Sequence, residues 1–90
     1  MDISIDFGIT VTDIIRRDED VLSHQMTLSK EEPSLSLLKQ LLPDIDFKSD
    51  VNFLAVTGGK HLNLGDEIDS TKIIHVNEID AVGEGAMNLS

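Results

Sequence analysis

Ninety residues with 40% hydrophobic content make one small domain with a modest core, and a formal net charge of −10 sets the chain as a whole against DNA, RNA and anionic membranes. Aromatics amount to 3%, supplied by Phe7, Phe47 and Phe53, so the core must be mainly Ile, Leu and Val, and no aromatic platform exists for stacking nucleic-acid bases. There is no cysteine for a disulfide or thiolate metal site, Met1 leads into Asp2 without a basic, apolar leader, and no apolar run approaches the roughly 20 residues of a membrane helix, so the cytoplasm is the expected compartment.

The first seven residues alternate, with Ile3, Ile5 and Phe7 on one side and Asp2, Ser4 and Asp6 on the other, the period of a half-buried strand that Gly8 ends. A second β-branched run, Ile9 to Ile15, is expected to close in a solvated turn over Arg16-Arg17-Asp18-Glu19-Asp20. Val21 to Leu28, with alternating Leu22, His24, Met26 and Leu28, gives a third strand and completes a meander. Ser29 and Glu32 are spaced as a capping box, Pro33 suits an early helical position, and Leu35, Leu38, Leu41 and Leu42 supply an apolar face before Pro43 stops the helix. Asp44 to Asp50 reads as an acidic surface connection, and Val51 to Val56 as a short strand buried on both faces.

That strand runs into Thr57-Gly58-Gly59, where two glycines allow either a tight turn or close approach of backbone N–H groups to a ligand. Residues 60–71 hold a short helix or irregular loop, and Lys72 to Val76 form the last strand. Asn77 with Asp80 is spaced as a capping box, predicting a helix from Glu78 with Ile79, Val82, Ala86 and Leu89 on one stripe. Glu78, in the first turn, has two readings: a carboxylate favoured by the helix dipole, the commoner role, or a general base at a strand end. The order is βββαβ(α)βα, an α/β fold with a mixed sheet and helices packed against it.

Three strand ends thus carry the polar residues of interest: Asp6 with Gly8 and Thr10, then Thr57-Gly58-Gly59, then Glu78. A carboxylate such as Asp6 beside a glycine turn can hold Mg²⁺ through water, and Gly8 to Thr10 amides can meet phosphate, although an exposed strand acid is the plainer reading of Asp6. Asp80 points elsewhere around the helix from Glu78, against a glycosidase-type pair, and shares a face with Glu84. His24, His61 and His75 stand apart in sequence, so zinc is not expected unless distant histidines pair. No nucleophile elbow and no Gly-x-x-x-x-Gly-Lys loop occurs, which removes the serine-hydrolase and P-loop readings.

With those residues in place, nearly all of the chain resembles the N-terminal subdomain of a type II (eukaryotic-like, Fumble) pantothenate kinase, in the acetate kinase, sugar kinase, heat-shock protein and actin (ASKHA) superfamily. The likeness is carried by Asp6-Phe7-Gly8-Ile9-Thr10 against the family's Asp-x-Gly-Gly-Thr, by Thr57-Gly58-Gly59, and by Glu78-Ile79-Asp80-Ala81 with Gly83 and Gly85. It implies a ribonuclease H-like (actin-like ATPase) half-domain, with ATP and Mg²⁺ as cofactors and pantothenate as the small-molecule substrate. It implies further that Glu78 is the base for the pantothenate hydroxyl, that Asp6, Gly8 and Thr10 form the first phosphate loop with Asp6 supporting the metal, and that Thr57, Gly58 and Gly59 face the substrate. Ile9 stands at the second glycine of the phosphate loop, and Asp13 where many relatives carry lysine.

Kinases of this superfamily hold ATP between two subdomains, and the ninety residues correspond to the first, without the C-terminal nucleotide-binding half. The chain is therefore expected to be inactive until a second lobe completes it. The alternative expectation is a non-catalytic ASKHA-like module that binds a partner or forms a homo-oligomer through an exposed apolar patch.

Overall fold

The computed structural model describes residues 1–76. The expected helix from Glu78, with Asp80 and Glu84, lies outside the described residues. Six strands form one mixed sheet: β1 (Asp2–Phe7), β2 (Val11–Asp18), β3 (Val21–Leu28), β4 (Phe53–Gly58), β5 (Glu67–Ile68) and β6 (Thr71–His75), in the order β3-β2-β1-β4-β6-β5. The first three make the antiparallel meander. β4 then pairs parallel to β1, and β6 parallel to β4, so β1, β4 and β6 lie side by side with their C-terminal ends together. Helix α1 (Leu35–Leu41) connects β3 to β4, and a 3₁₀ turn (His61–Leu64) with β5 connects β4 to β6.

Register sorts the strand residues onto two faces. Ile3, Ile5 and Phe7 stand beside Leu54, Val56 and Ile14, and with Ile73 they form the face that Leu38 of α1, Leu42 at its C-cap and Phe47 of the following loop help to bury. The opposite face carries Ser4, Asp6, Asp13, Ile15, Ala55 and Thr57, with Leu22, His24 and Met26 of β3. The central strands are buried at Leu54, Ala55 and Val56, as the parallel register requires, whereas Phe53 is 40% exposed.

Four sequence expectations need correction. The Arg16–Asp20 turn is shorter, because β2 runs on through Asp18 and only Glu19 and Asp20 connect it to β3. Partners on other elements hold the two arginines inside the strand: Arg16 on Asp44 at 2.8 Å and Arg17 on Asp2 at 3.0 Å. The helix starts later than the Ser29–Glu32 pattern predicts. Ser34 is its cap, accepting from the Leu37 N–H at 3.0 Å, and Pro33 is buried ahead of it. β4 is shifted to include Thr57 and Gly58 in pairing, and residues 60–71 hold, besides the short 3₁₀ helix, strand β5, which forms a second hairpin with β6 turned by Asp69 and Ser70 with φ of 47° and 72°.

β3 has the expected span, but Val21, Leu22, Met26 and Leu28 are exposed. Its alternation faces the open side of the sheet. The Asp44–Asp50 connection is more than a surface loop, since it delivers Phe47 to the core and the Phe47 carbonyl accepts a hydrogen bond from the buried Thr71 hydroxyl.

Candidate functional site

Parallel pairing of β1 with β4 sets Asp6 beside Thr57 and Phe7 beside Gly58, so the two glycine turns leave the sheet next to each other. The Gly59 N–H donates to the Phe7 carbonyl at 2.9 Å, and the Val76 N–H donates to the Val56 carbonyl at 2.9 Å, which brings the chain to the same end of the sheet just before Asn77 and Glu78. Gly58 has φ 97°, and a side chain there would collide with the backbone of Phe7. Gly8 likewise has no room for a Cβ, because the Val11 carbonyl occupies the space. Both glycines are thus required by close backbone approach, the physical content of the tight-turn reading.

A cleft of about 380 Å³ opens at this end on the helix-covered side, lined in part by Gly8, Ile9, Gly59, Lys30, Glu32 and Lys60. Its floor is fixed by Ser29. The Ser29 N–H donates to the Thr10 carbonyl at 2.9 Å, its hydroxyl donates to the Gly8 carbonyl at 2.7 Å, and its oxygen lies 2.8 Å from the hydroxyl of buried Thr12. Since the Ser29 proton is committed to Gly8, the Thr12 hydroxyl must donate to Ser29. Ser29 is therefore a clamp from the end of β3 onto the β1–β2 loop rather than a helix cap. Only the β2–β3 register, which sets Val11 opposite Leu28, could have shown this.

Asp6 and Thr57 point to the other face of the sheet at the same strand ends, where Asp13 stands opposite Asp6. Among the described residues the Thr57 hydroxyl is buried without a hydrogen-bond partner, while Asp13 lies 2.9 Å from the His24 imidazole. Two carboxylates and an orphaned hydroxyl are hard oxygen donors suited to Mg²⁺. Among the described residues no three His, Cys, Asp or Glu side chains gather as a metal-binding group. Thr10 is exposed in the loop, and Glu78 lies outside the described residues.

The expectation that the Gly8 to Thr10 amides and the Gly58-Gly59 turn offer donors to phosphate is modified at Gly8 and Gly59. The Gly8 N–H donates to Asp6 at 3.1 Å and the Gly59 N–H to Phe7. The sequence reading missed Lys60, which lines the cleft and makes an ion pair with Glu32, and Lys30, which also lines it and makes no ion pair among the described residues.

Two of the three histidines do meet. His61 Nδ1 and His75 Nδ1 are 2.9 Å apart with ring centroids at 5.1 Å, and His75 Nε2 lies against the Gly65 carbonyl. A carbonyl can only accept, so His75 carries its proton on Nε2, and the His61 Nδ1–H donates to the His75 Nδ1 lone pair. Burial, and secondarily the charge of His75, lower the His61 pKa. The pair fastens the 3₁₀ turn after Gly58-Gly59-Lys60 to the end of β6.

Against models of known protein families and against curated proteins, the chain gives no match. No helix among the described residues is long and apolar enough to cross a membrane.

Proposed function

We propose that the chain is the N-terminal, ribonuclease H-like subdomain of an ATP-dependent phosphotransferase of the pantothenate kinase kind, working in the cytoplasm and completed by a second lobe. The observation that carries this reading is the convergence of Asp6-Phe7-Gly8-Ile9-Thr10 and Thr57-Gly58-Gly59, distant in sequence, at adjacent C-terminal ends of parallel strands, the end where ligands of open α/β sheets bind. A meander continued by parallel strands on its β1 side, with a helical crossover between, supports the ribonuclease H-like form of the fold.

In this reading Mg-ATP, when bound, supplies the phosphoryl group and its charge neutralisation. Asp6, with the Thr57 hydroxyl beside it, would hold the metal through water. The Gly8 to Thr10 loop, rigidified by Ser29, borders the phosphates, and Thr57 to Gly59 border the acceptor. Glu78 takes the proton from the pantothenate hydroxyl.

The test is calorimetric titration of Mg-ATP and pantothenate onto the chain, followed by transfer assays after completion with a second lobe. Binding of Mg-ATP and a rate that collapses in Glu78→Gln are expected. Absence of binding to either ligand, or an undiminished Glu78→Gln rate, contradicts the proposal. A second reading, a non-catalytic interaction module, is favoured by the exposed Leu22, Met26 and Leu28 on β3. Size-exclusion chromatography with light scattering decides it, because a strict monomer at high concentration removes the self-associating form.

A further inference from the structure

Lys60 directly follows Gly58 and Gly59 and has φ 57°, a left-handed backbone that a third glycine would adopt freely and that a residue bearing a side chain resists. The chain keeps a lysine there nonetheless, and its side chain borders the cleft beside Gly8 and Ile9. An unfavourable conformation held by a functional group at a strand end points to a use for that group.

Several donors around the cleft are already committed. The amides of Gly8 and Gly59, the Ser29 hydroxyl and the Thr12 hydroxyl all donate to partners inside the protein. Lys60 and Lys30 are the cations of the lining, in a chain whose net charge is −10. Lys60 is meanwhile engaged by Glu32, and Glu31 lines the same cleft, so carboxylates stand where a ligand's negative oxygens would stand. The Lys60 and Glu32 side chains are 62% and 66% exposed, which makes the pair weak and easily exchanged.

We propose that Lys60 is the anion-recognition residue of this cleft, that its ligand is the phosphoryl group of a phosphorylated small molecule, and that Glu32 is an internal competitor which occupies the ammonium until the ligand displaces it. The proposal rests on the reading of these strand ends as a phosphate-handling site.

The experiment titrates inorganic phosphate, tripolyphosphate and Mg-ATP at low ionic strength onto the full chain and onto Lys60→Met, Lys60→Arg and Glu32→Gln. Loss of a charge-assisted bond should weaken binding in Lys60→Met about tenfold or more, while Lys60→Arg retains it. Removing the competitor should tighten binding in Glu32→Gln about two- to fivefold, the worth of an exposed ion pair. A merely structural ion pair gives a different pattern, in which Lys60→Met and Glu32→Gln lose thermal stability together and neither changes affinity in its own direction.

Wild-type affinity in Lys60→Met, weakened binding in Glu32→Gln, or no binding of any probe to the wild type overturns the proposal. Tighter binding of tripolyphosphate and Mg-ATP than of phosphate assigns the ligand to a nucleotide polyphosphate, and equal binding assigns it to a single phosphoryl group. Lys60-dependent binding without transfer to pantothenate in the completed protein keeps Lys60 and removes the kinase assignment.

Discussion

The two faces of the sheet are built on different plans. Under α1, Ile3, Ile5, Ile14, Leu38, Leu54 and Val56 are at most 1% exposed and carry the stability of the domain. On the other face the same strands present Asp6, Asp13 and Thr57 at one end, and β3 adds Leu22, His24 and Met26 to solvent. Alternation with period 2 makes this possible: each strand gives one set of residues to packing and the intervening set to chemistry or contact. The glycine turns then sit where the packed strands end, so the candidate site is supported by the most buried part of the molecule.

Leu38→Ala should produce the largest effect, about 2–5 kcal/mol of destabilisation by denaturant titration, because it opens a cavity in the packed face. Leu22→Ser and Met26→Ser on the open face should stay within about 0.5 kcal/mol. Equal losses at the two faces would erase the contrast.

Gly58→Ala comes next, at about 1–3 kcal/mol, since φ 97° and the Phe7 backbone both oppose a side chain. A neutral result would show that the β4 turn relaxes.

The His61–His75 clasp gives a pH effect of definite sign. The unfolded imidazole of His61 binds its proton at the ordinary value of 6.5, and the folded one only at lower pH, because burial and His75 oppose the charge. The unfolded state therefore holds more protons in that interval, and stability should fall as pH drops through 6.5 and level off below the folded pKa. His61→Asn should flatten this dip in thermal unfolding, and an unchanged profile would place its origin elsewhere.

The smallest effect on stability is expected at Thr57. Its hydroxyl is buried without a partner among the described residues, so Thr57→Val should leave stability unchanged or raise it by up to about 1 kcal/mol while weakening Mg-ATP. A clear loss of stability would mean that the hydroxyl has a structural partner.

Much of this arrangement is legible in the sequence where the signal is local. The alternation of Asp2 to Phe7, the glycine punctuation at Gly8 and Gly58, and Pro43 after the leucine-rich helix all act through their immediate neighbours. What was illegible depends on distant pairing. Arg16 and Arg17 look like a turn until Asp44 and Asp2 are placed beside them, and Ser29 looks like a cap until register brings it onto Thr10 and Gly8. His61 and His75 look isolated for the same reason. Lys60 left one trace, a charged side chain next to two glycines, but its strained backbone and its place on the cleft follow from the β1–β4 pairing. The exposure of β3 was hidden because alternation reports a period without saying which side the core is on.

The most direct test of the account maps Mg-ATP onto the chain by amide chemical shifts. The account expects the largest changes at Gly8, Ile9, Thr10, Gly59 and Lys60, with Val21 to Leu28 undisturbed. Changes centred on β3, or none at saturating nucleotide, would contradict it.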